Sequence, residues 1–542
     1  MRFDPRAFTA LLAGALALLC VGLGQLDLWE PDEPRIAQVA DELRSMEHGP
    51  RGLVVLHLNG APYTQKPPLY YWLAAALGSG SGRVTEVAAR LPSALAGVAV
   101  VALAAGFGAR LLGPTSGLLG AALLLTVYRF AYLARRAQLD VLLCLFEMLA
   151  LLAFWRLDRG LGRRRANVAL LHGALGLAVL TKGPVGFLVP MLVAAAYLAW
   201  EGRLREIGRA APAWSLLLSL GPALAWLGAA TALAPQGFLG EALGSNLLGR
   251  FFAGTSHARP LHYYLLQLPL EFLPWTLLWP AVLAAGRRGV LAPGAEPARR
   301  RAWRFLLAWL GATFVFFSLS SGKRGLYLLP AFPAAALLCA DALLDACALR
   351  GRVPVWIARA AAALGGLLAA AGLVAAAASR AGALPVPVPA AFALALPVAV
   401  AGAAFAWRAL ARSRPALRFG AIVAGAWAIE LSAFALALPA LDPQKSPRAI
   451  ADVVAARSAP DERVGLVGDA QKTAGLAYYG ARRIVPLEGP EDVRRFLDAG
   501  GRMLVVRRKK LSRVEAVTPV EIHAAVRGGD REFVVVSPRG SR

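Results

Sequence analysis

Two acids stand side by side in "LWEPDEPRIAQ", Asp32 and Glu33, with Arg35 less than one turn further on. Carboxylates so placed offer a general base, or a group that orients a sugar; the plain alternative is a solvated helix start beside a proline. In "APYTQKPPLYYW", Lys66 is held against Pro67 and Pro68, which bias Gln65 and Lys66 away from helix. A lysine fixed in this way can be aimed at an anion, whereas a snorkelling lysine needs no Pro-Pro clamp. Asp140 opens the apolar run "LDVLLCLFEM", with a pairing to Arg135 or Arg136 as its structural alternative, and Glu147 lies deeper in the same run. "LTKGPVG" places Lys182 at a connector, and "SLSSGKRGLYLLP" brings Lys323, Arg324 and Tyr327 together. Two cations and a phenol suit an oxyanion. "GRFFAGTSHARPLHYY" adds Arg250 and His257 ahead of an aromatic-rich span.

Acids and cations in one place, without a credible nucleotide loop ("GLVGDA" is a weak match), suit a donor whose leaving group is a phosphate. Cleaving a sugar–phosphate bond builds charge on the departing phosphate, and preorganised cations stabilise that charge most in the transition state. A carboxylate near the anomeric carbon deprotonates the acceptor or supports oxocarbenium character.

The elements that must position these residues are membrane spans. The chain has 542 residues, 58% of them hydrophobic, and a net charge of +25. Most arginines fall in short loops between apolar runs of about 20 residues, so the charge reflects loop topology and not nucleic-acid binding. About thirteen spans are expected, among them 7–28, 115–133, 167–181, 263–285 and 388–409. With the N-terminus inside, cations concentrate on the inner loops, as in Arg156, Arg159 and Arg163–Arg165 or Arg299–Arg301. The basic, apolar N-terminus reads as an uncleaved first span. The four cysteines lie in apolar segments and form no CxxC pair, which argues against a disulfide framework or a zinc knuckle. With this topology Asp32, Glu33, Arg35, Lys66, Asp140, Lys182, Arg250, His257, Lys323 and Arg324 all fall at the outer face.

Two outer segments are long. In 29–90, "DEPRIAQVADELRSM" is expected to be a helix opening on acids, and "GLVVLHLNG" a short strand ending in a turn. From 442 to 542 the composition becomes that of a soluble domain. "RVGLVGD", "RRIVPLEG" and "RMLVVRR" read as strands, alternating with the helical "TAGLAYYG" and "PEDVRRFLDAG". The expectation is a mainly α, polytopic membrane domain over 1–441 and a small extracytoplasmic α/β domain over 442–542.

Taken in order, "DEPR", "NGAPYTQKPPLYYW", "ARLPSAL", "TKGPVG", "RFF…SHARPLHYY…LPW" and "SSGKRGLYLLP" resemble the GT-C membrane glycosyltransferases. The likeness is to the bacterial lipid A aminoarabinose transferases and the dolichyl-phosphate-mannose protein mannosyltransferases, over nearly the whole chain. The resemblance implies an inverting transferase with its site on the periplasmic side of the bacterial inner membrane. Its donor would be a sugar on undecaprenyl or a related polyprenyl phosphate, and its acceptor lipid A, another surface glycan of the lipopolysaccharide type, or a protein. It implies Asp32 as the catalytic acid, with Glu33 beside it and Asp140 nearby. Arg35, Lys66 and Tyr327 would hold the donor phosphate, and Lys323 and Arg250 are added as candidates for the same phosphate. In the aminoarabinose transferases an acidic residue before the lysine, together with a histidine matching His257, holds a metal ion. Gln65 stands at that acidic position here, and a neutral amide is a poor zinc ligand. No cofactor is required by the remaining residues, and a divalent metal is left open. The rival class is a transporter, flippase or binder of lipid-linked sugars, which would use the same cations without chemistry; no matching halves support it.

Overall fold

The first helix, Pro5–Cys20 (α1), begins where Asp4 accepts a hydrogen bond from the Arg6 N–H at 3.0 Å. It ends well short of the expected residue 28. Gly22 adopts φ +73°, and the chain then runs irregularly to residue 31. The carbonyls released there are collected by one side chain: the Arg90 guanidinium donates to Leu23 O at 2.6 Å and to Leu26 O and Asp27 O at 2.7 Å. The computed structural model describes residues 4–244, 249, 257–291, 296–350, 355–382, 400, 404, 415–528 and 531–540.

The helices that follow are Asp32–Arg44 (α2), Leu69–Gly78 (α3), Glu86–Leu112 (α4), Pro114–Leu125 (α5), Tyr128–Ala134 (α6), Leu139–Asp158 (α7), Arg164–Lys182 (α8) and Val185–Trp200 (α9). α4 and α5 form a tight antiparallel pair. Its closeness requires Gly117, where a Cβ would lie 2.4 Å from Ala105 O. Beyond α9, helices occupy Ala213–Leu233, Pro297–Leu319, Phe332–Arg350, Val355–Arg380 and Pro415–Ser432.

By length and composition six helices among the described residues can cross a membrane, or eight if each bent pair is one span. Two expected straight spans are bent: 115–133 turns by 70° between α5 and α6, and 263–285 by 103° between Tyr263–Glu271 and Trp275–Gly286. At the first break Thr126 turns its hydroxyl back to Ala122 O and Leu123 O, at 2.9 and 3.1 Å. At the second, Pro274 has no N–H to continue the helix. Hydropathy registers neither bend. The expected span 388–409 lies largely outside the described residues.

In the first outer segment α2 opens on Asp32 and Glu33, as expected, and buries Ile36, Val39, Ala40 and Leu43. His57–Leu58 (β1) and Ala61–Pro62 (β2) form a minimal hairpin through Asn59 and Gly60, at φ +57° and +78°.

The tail carries a five-stranded sheet of Arg463–Val467 (β3), Arg483–Leu487 (β4), Met503–Arg507 (β5), Val520–Gly528 (β6) and Arg531–Pro538 (β7), in the order β4-β3-β5-β7-β6. β3, β4 and β5 are parallel, whereas β7 and β6 are antiparallel additions that the sequence reading passed over. The tail grips the outer segment. Asp442 accepts from Trp29 Nε1 at 2.6 Å, Tyr479 OH from Leu28 N at 2.7 Å, and Val84 O from Tyr478 OH at 2.5 Å. The Asn59 amide pairs with the main chain of Ile484 on edge strand β4 through bonds of 2.5 and 3.0 Å.

Candidate active site

Asp32 and Glu33 leave α2 in different directions. Glu33 is fully buried and enclosed by cations and N–H groups. Arg90 Nε reaches it at 2.8 Å, Arg136 Nη2 at 2.9 Å, Ala137 N at 2.9 Å and Trp29 N at 3.1 Å. Burial opposes the charge, but Arg136 and Arg90, with the Ala137 N–H, hold the carboxyl below its ordinary range. This corrects the expectation of a catalytic Glu33: both oxygens are committed to fixing the 23–33 segment, and Glu33 does not line the polar cavity that Asp32 lines.

Asp32 instead lines a small polar cavity of about 70 Å³ with Arg35, Gln65, Lys66, Asp140 and Tyr327, together with Lys182, Arg324 and Gln138. Its Oδ2 accepts from Arg324 at 2.6 Å and from Gln138 Nε2 at 3.3 Å, and Arg35 lies 3.9 Å from Oδ1. Burial would raise the Asp32 carboxyl, yet Arg324, by charge and hydrogen bond, and then Arg35 and Gln138 hold it low. The group is therefore an anion at neutral pH. Asp140 is buried and paired with Lys182, whose ammonium also lies 4.5 Å from the centre of the Tyr327 ring.

A second space adjoins the first. An apolar groove of about 400 Å³ runs between Phe187, Leu188, Leu220, Leu224 and Trp226. Gln65, Lys66 and Lys182 line both the groove and the polar cavity, so two lysines stand at their junction.

Arg324 is presented by a rigid loop. Lys323 is buried, and its ammonium donates to Ser320 O and, at 3.1 Å, to Arg259 O; its own N–H bonds His257 O at 3.0 Å. Tyr264 OH donates to Arg324 O at 2.9 Å. Lys323 is thus a loop clamp that does not line the cavity, which corrects its expected place on a donor phosphate. Burial also lowers its pKa. Arg250 lies outside the described residues. Gln138, Tyr63 and Tyr71 line the cavity without having been expected there; the tyrosines are joined OH to OH at 3.2 Å.

The implied metal does not fit this arrangement. Gln65 Oε1 faces Arg35 Nη1 at 3.5 Å, which places a fixed cation where a metal would need a carboxylate. His257 sits exposed in its turn and does not line the cavity. The one described group of His and carboxylates close enough to share a cation, Glu42, Glu47 and His48, lies elsewhere on the outer segment.

Residues 6–237 match the family model for dolichyl-phosphate-mannose-protein mannosyltransferases. Over 98% of both chains the structure superposes on ArnT from Cupriavidus metallidurans bound to undecaprenyl phosphate, with a TM-score of 0.79 at 23% identity. The fold is the GT-C fold. A more distant GT-C likeness is to the archaeal oligosaccharyltransferase AglB from Archaeoglobus fulgidus, with a TM-score of 0.54 at 14% identity, over 93% of this chain and 69% of that one. By sequence the chain is 30% identical over 339 residues to an undecaprenyl phosphate-α-4-amino-4-deoxy-L-arabinose arabinosyl transferase of Pseudomonas savastanoi, covering 62% of this chain and 61% of the relative. It is 33% identical over 341 residues to the Pseudomonas aeruginosa PAO1 protein of the same description, covering 60% and 57%. The chain spans about three fifths of the length of these curated relatives.

Proposed function

We propose that this protein is an inverting glycosyltransferase. It takes a sugar from a polyprenyl phosphate and passes it to an acceptor on the periplasmic face of the bacterial inner membrane. Residues 1–441 carry the transfer site and 442–542 form the outer domain. The observation that carries this reading is the junction at Lys66 and Lys182: a cavity of acids and cations opens there into an apolar groove. That pairing suits an amphiphile with an anionic head and a hydrocarbon tail.

The donor phosphate lies against Lys66, Arg35 and Tyr327, with its isoprenoid chain in the groove. The polar cavity is small, so the head group enters by parting the Arg324–Asp32 and Lys182–Asp140 pairs and taking up the released cations. An acceptor oxygen attacks the anomeric carbon from the face opposite the phosphate, and its proton passes to Asp32. The bond from that carbon to the phosphate oxygen breaks with its electron pair on the phosphate, where the cations stabilise it. Asp140 positions Lys182. Lipid A, another surface glycan and a protein all remain acceptors compatible with this chemistry.

The test is to mix purified protein in nanodiscs with a labelled undecaprenyl-phosphate sugar and a lipid A-containing extract. Free undecaprenyl phosphate and a labelled acceptor should appear with the native chain and not with Asp32→Asn. Donor binding without any release would favour a carrier of lipid-linked sugars.

A further inference from the structure

A third cavity, of about 370 Å³, lies where α7 ends and α8 begins, and residues 198–210 form its other wall. It stands at the far end of two helices that also reach the Asp32 cavity. Asp140 lies in the first turn of α7 and Asp158 ends it, while Lys182 ends α8 and Arg164 begins it. At 1.5 Å per residue the two ends of α7 are about 27 Å apart, close to the thickness of a bilayer's hydrocarbon core.

Four arginines line this cavity, Arg156, Arg164, Arg203 and Arg209, against two acids, Asp158 and Glu206. The acids are spent within the wall. Glu206 accepts from Arg203 at 3.1 and 3.0 Å and from Arg209 at 2.8 Å. Asp158 meets Arg203 Nη1 at 2.9 Å and accepts from the Tyr197 hydroxyl at 3.2 Å. Arg156 is left over: it is part-buried, and among the described residues it meets neither an acid nor a hydrogen-bond acceptor. Its guanidinium rests against Gly162, where a Cβ would lie 3.0 Å from Nη2 and φ is +71°. Arg164 uses one Nη on Arg209 O, at 2.9 Å.

The start of α8 adds donors to the same wall, which Arg164 and Asn167 line one turn apart. No side chain caps it, and its first turn carries no acid. The Asn167 N–H bonds Arg163 O at 3.1 Å, so the N–H groups of Arg164, Arg165 and Ala166 precede the first bond inside the helix. Arginines at the positive end of a helix dipole are repelled by it, and an anion relieves that repulsion.

We propose that this cavity binds a phosphate group, supplied by the head of an anionic phospholipid in the leaflet at this end of α7. The planar guanidinium of Arg156 matches two phosphate oxygens, and Arg164 and the helix start supply further donors. Phe154, Leu157, Leu161 and Leu198 line the same space, so the glycerol and the first acyl carbons have an apolar wall that a free phosphate ion does not use. Basic pockets between spans suit such head groups.

The test titrates the full chain, purified in detergent, with phosphatidylglycerol and phosphatidylcholine by native mass spectrometry, and with inorganic phosphate by calorimetry. Phosphatidylglycerol should bind about tenfold more tightly than phosphatidylcholine. Arg156→Gln and Arg164→Gln should each weaken phosphatidylglycerol by about three- to tenfold. Arg165→Gln removes the same charge from the same turn, at an exposed residue that does not line the cavity. It should change binding by less than about twofold. Equal losses in all three variants would mean that loop charge alone attracts lipid, and would overturn the site. A native chain without preference for phosphatidylglycerol would do the same. Inorganic phosphate that binds as tightly as the lipid, and is lost with Arg156→Gln, would overturn the lipid source while keeping the phosphate site. Should Arg156→Gln fail to fold, Arg164→Gln, at an exposed position, decides alone.

Discussion

The Asp32 cavity and the Glu33 hub sit back to back on one turn of helix and use the same chemistry to opposite ends. Around Glu33 every oxygen is met by fixed donors, and nothing is left to bind. Around Asp32 the contacts are fewer and come from side chains of separate segments, Arg324, Gln138 and Arg35, which a ligand can displace. A buried ion network holds a segment in place, and a partly open one keeps its charges for exchange. The roles of adjacent acids are set by how completely their neighbours use them up.

The largest effect expected is on catalysis. Asp32→Asn should lower transfer by about 10²–10⁴-fold with a fall in melting temperature smaller than that of Glu33→Gln, read as undecaprenyl phosphate release and thermal unfolding of one preparation. Glu33→Gln should do the reverse, costing about 3–5 kcal/mol of stability by leaving Arg90 and Arg136 uncompensated. Equal behaviour of the two variants would break the comparison. Lys66→Ala should raise the donor KM by about ten- to a hundredfold with the fold intact. Lys323→Met should instead destabilise by about 1–3 kcal/mol through unpaired Ser320 and Arg259 carbonyls, lowering activity only as Arg324 loses its place.

Smallest is the response to pH. The folded Asp32 pKa is depressed, so its contribution to stability is present above the unfolded value of about 3.9 and is lost as pH falls below it. Burial raises the Glu30 carboxyl to about 8, against the charges of Lys472 and Arg35. Its contribution is fullest below the unfolded value of about 4.3 and declines as pH rises to about 8. Unfolding midpoints between pH 5 and 8 should therefore fall in the native chain relative to Glu30→Gln, and parallel curves would refute that assignment.

Much of this was legible in the sequence because it depends on local rules. The acid-led start of α2, the Pro-Pro clamp before α3, the Asn-Gly turn and three tail strands each follow from a few neighbouring residues. The cavity's acids and cations were also found, since charge beside an apolar run is conspicuous. What escaped depends on partners distant in the chain. Arg90 and Arg136 look like ordinary loop cations until Glu33 is placed between them. Lys323 and Arg324 are adjacent and alike, and only the His257–Arg259 strap decides which one turns outward. Glu30 gave no signal, because its burial results from packing by the tail.

Asn59 has a consequence of another kind. β4 is the border strand of the tail sheet, and the Asn59 amide occupies the peptide group of Ile484 there. An uncovered strand border is a template on which a foreign chain can continue the sheet. The segment ahead of α3 thus supplies the stopper for the tail sheet. A tail expressed alone should self-associate through β4, and an added peptide carrying the Asn-Gly hairpin should compete with that association.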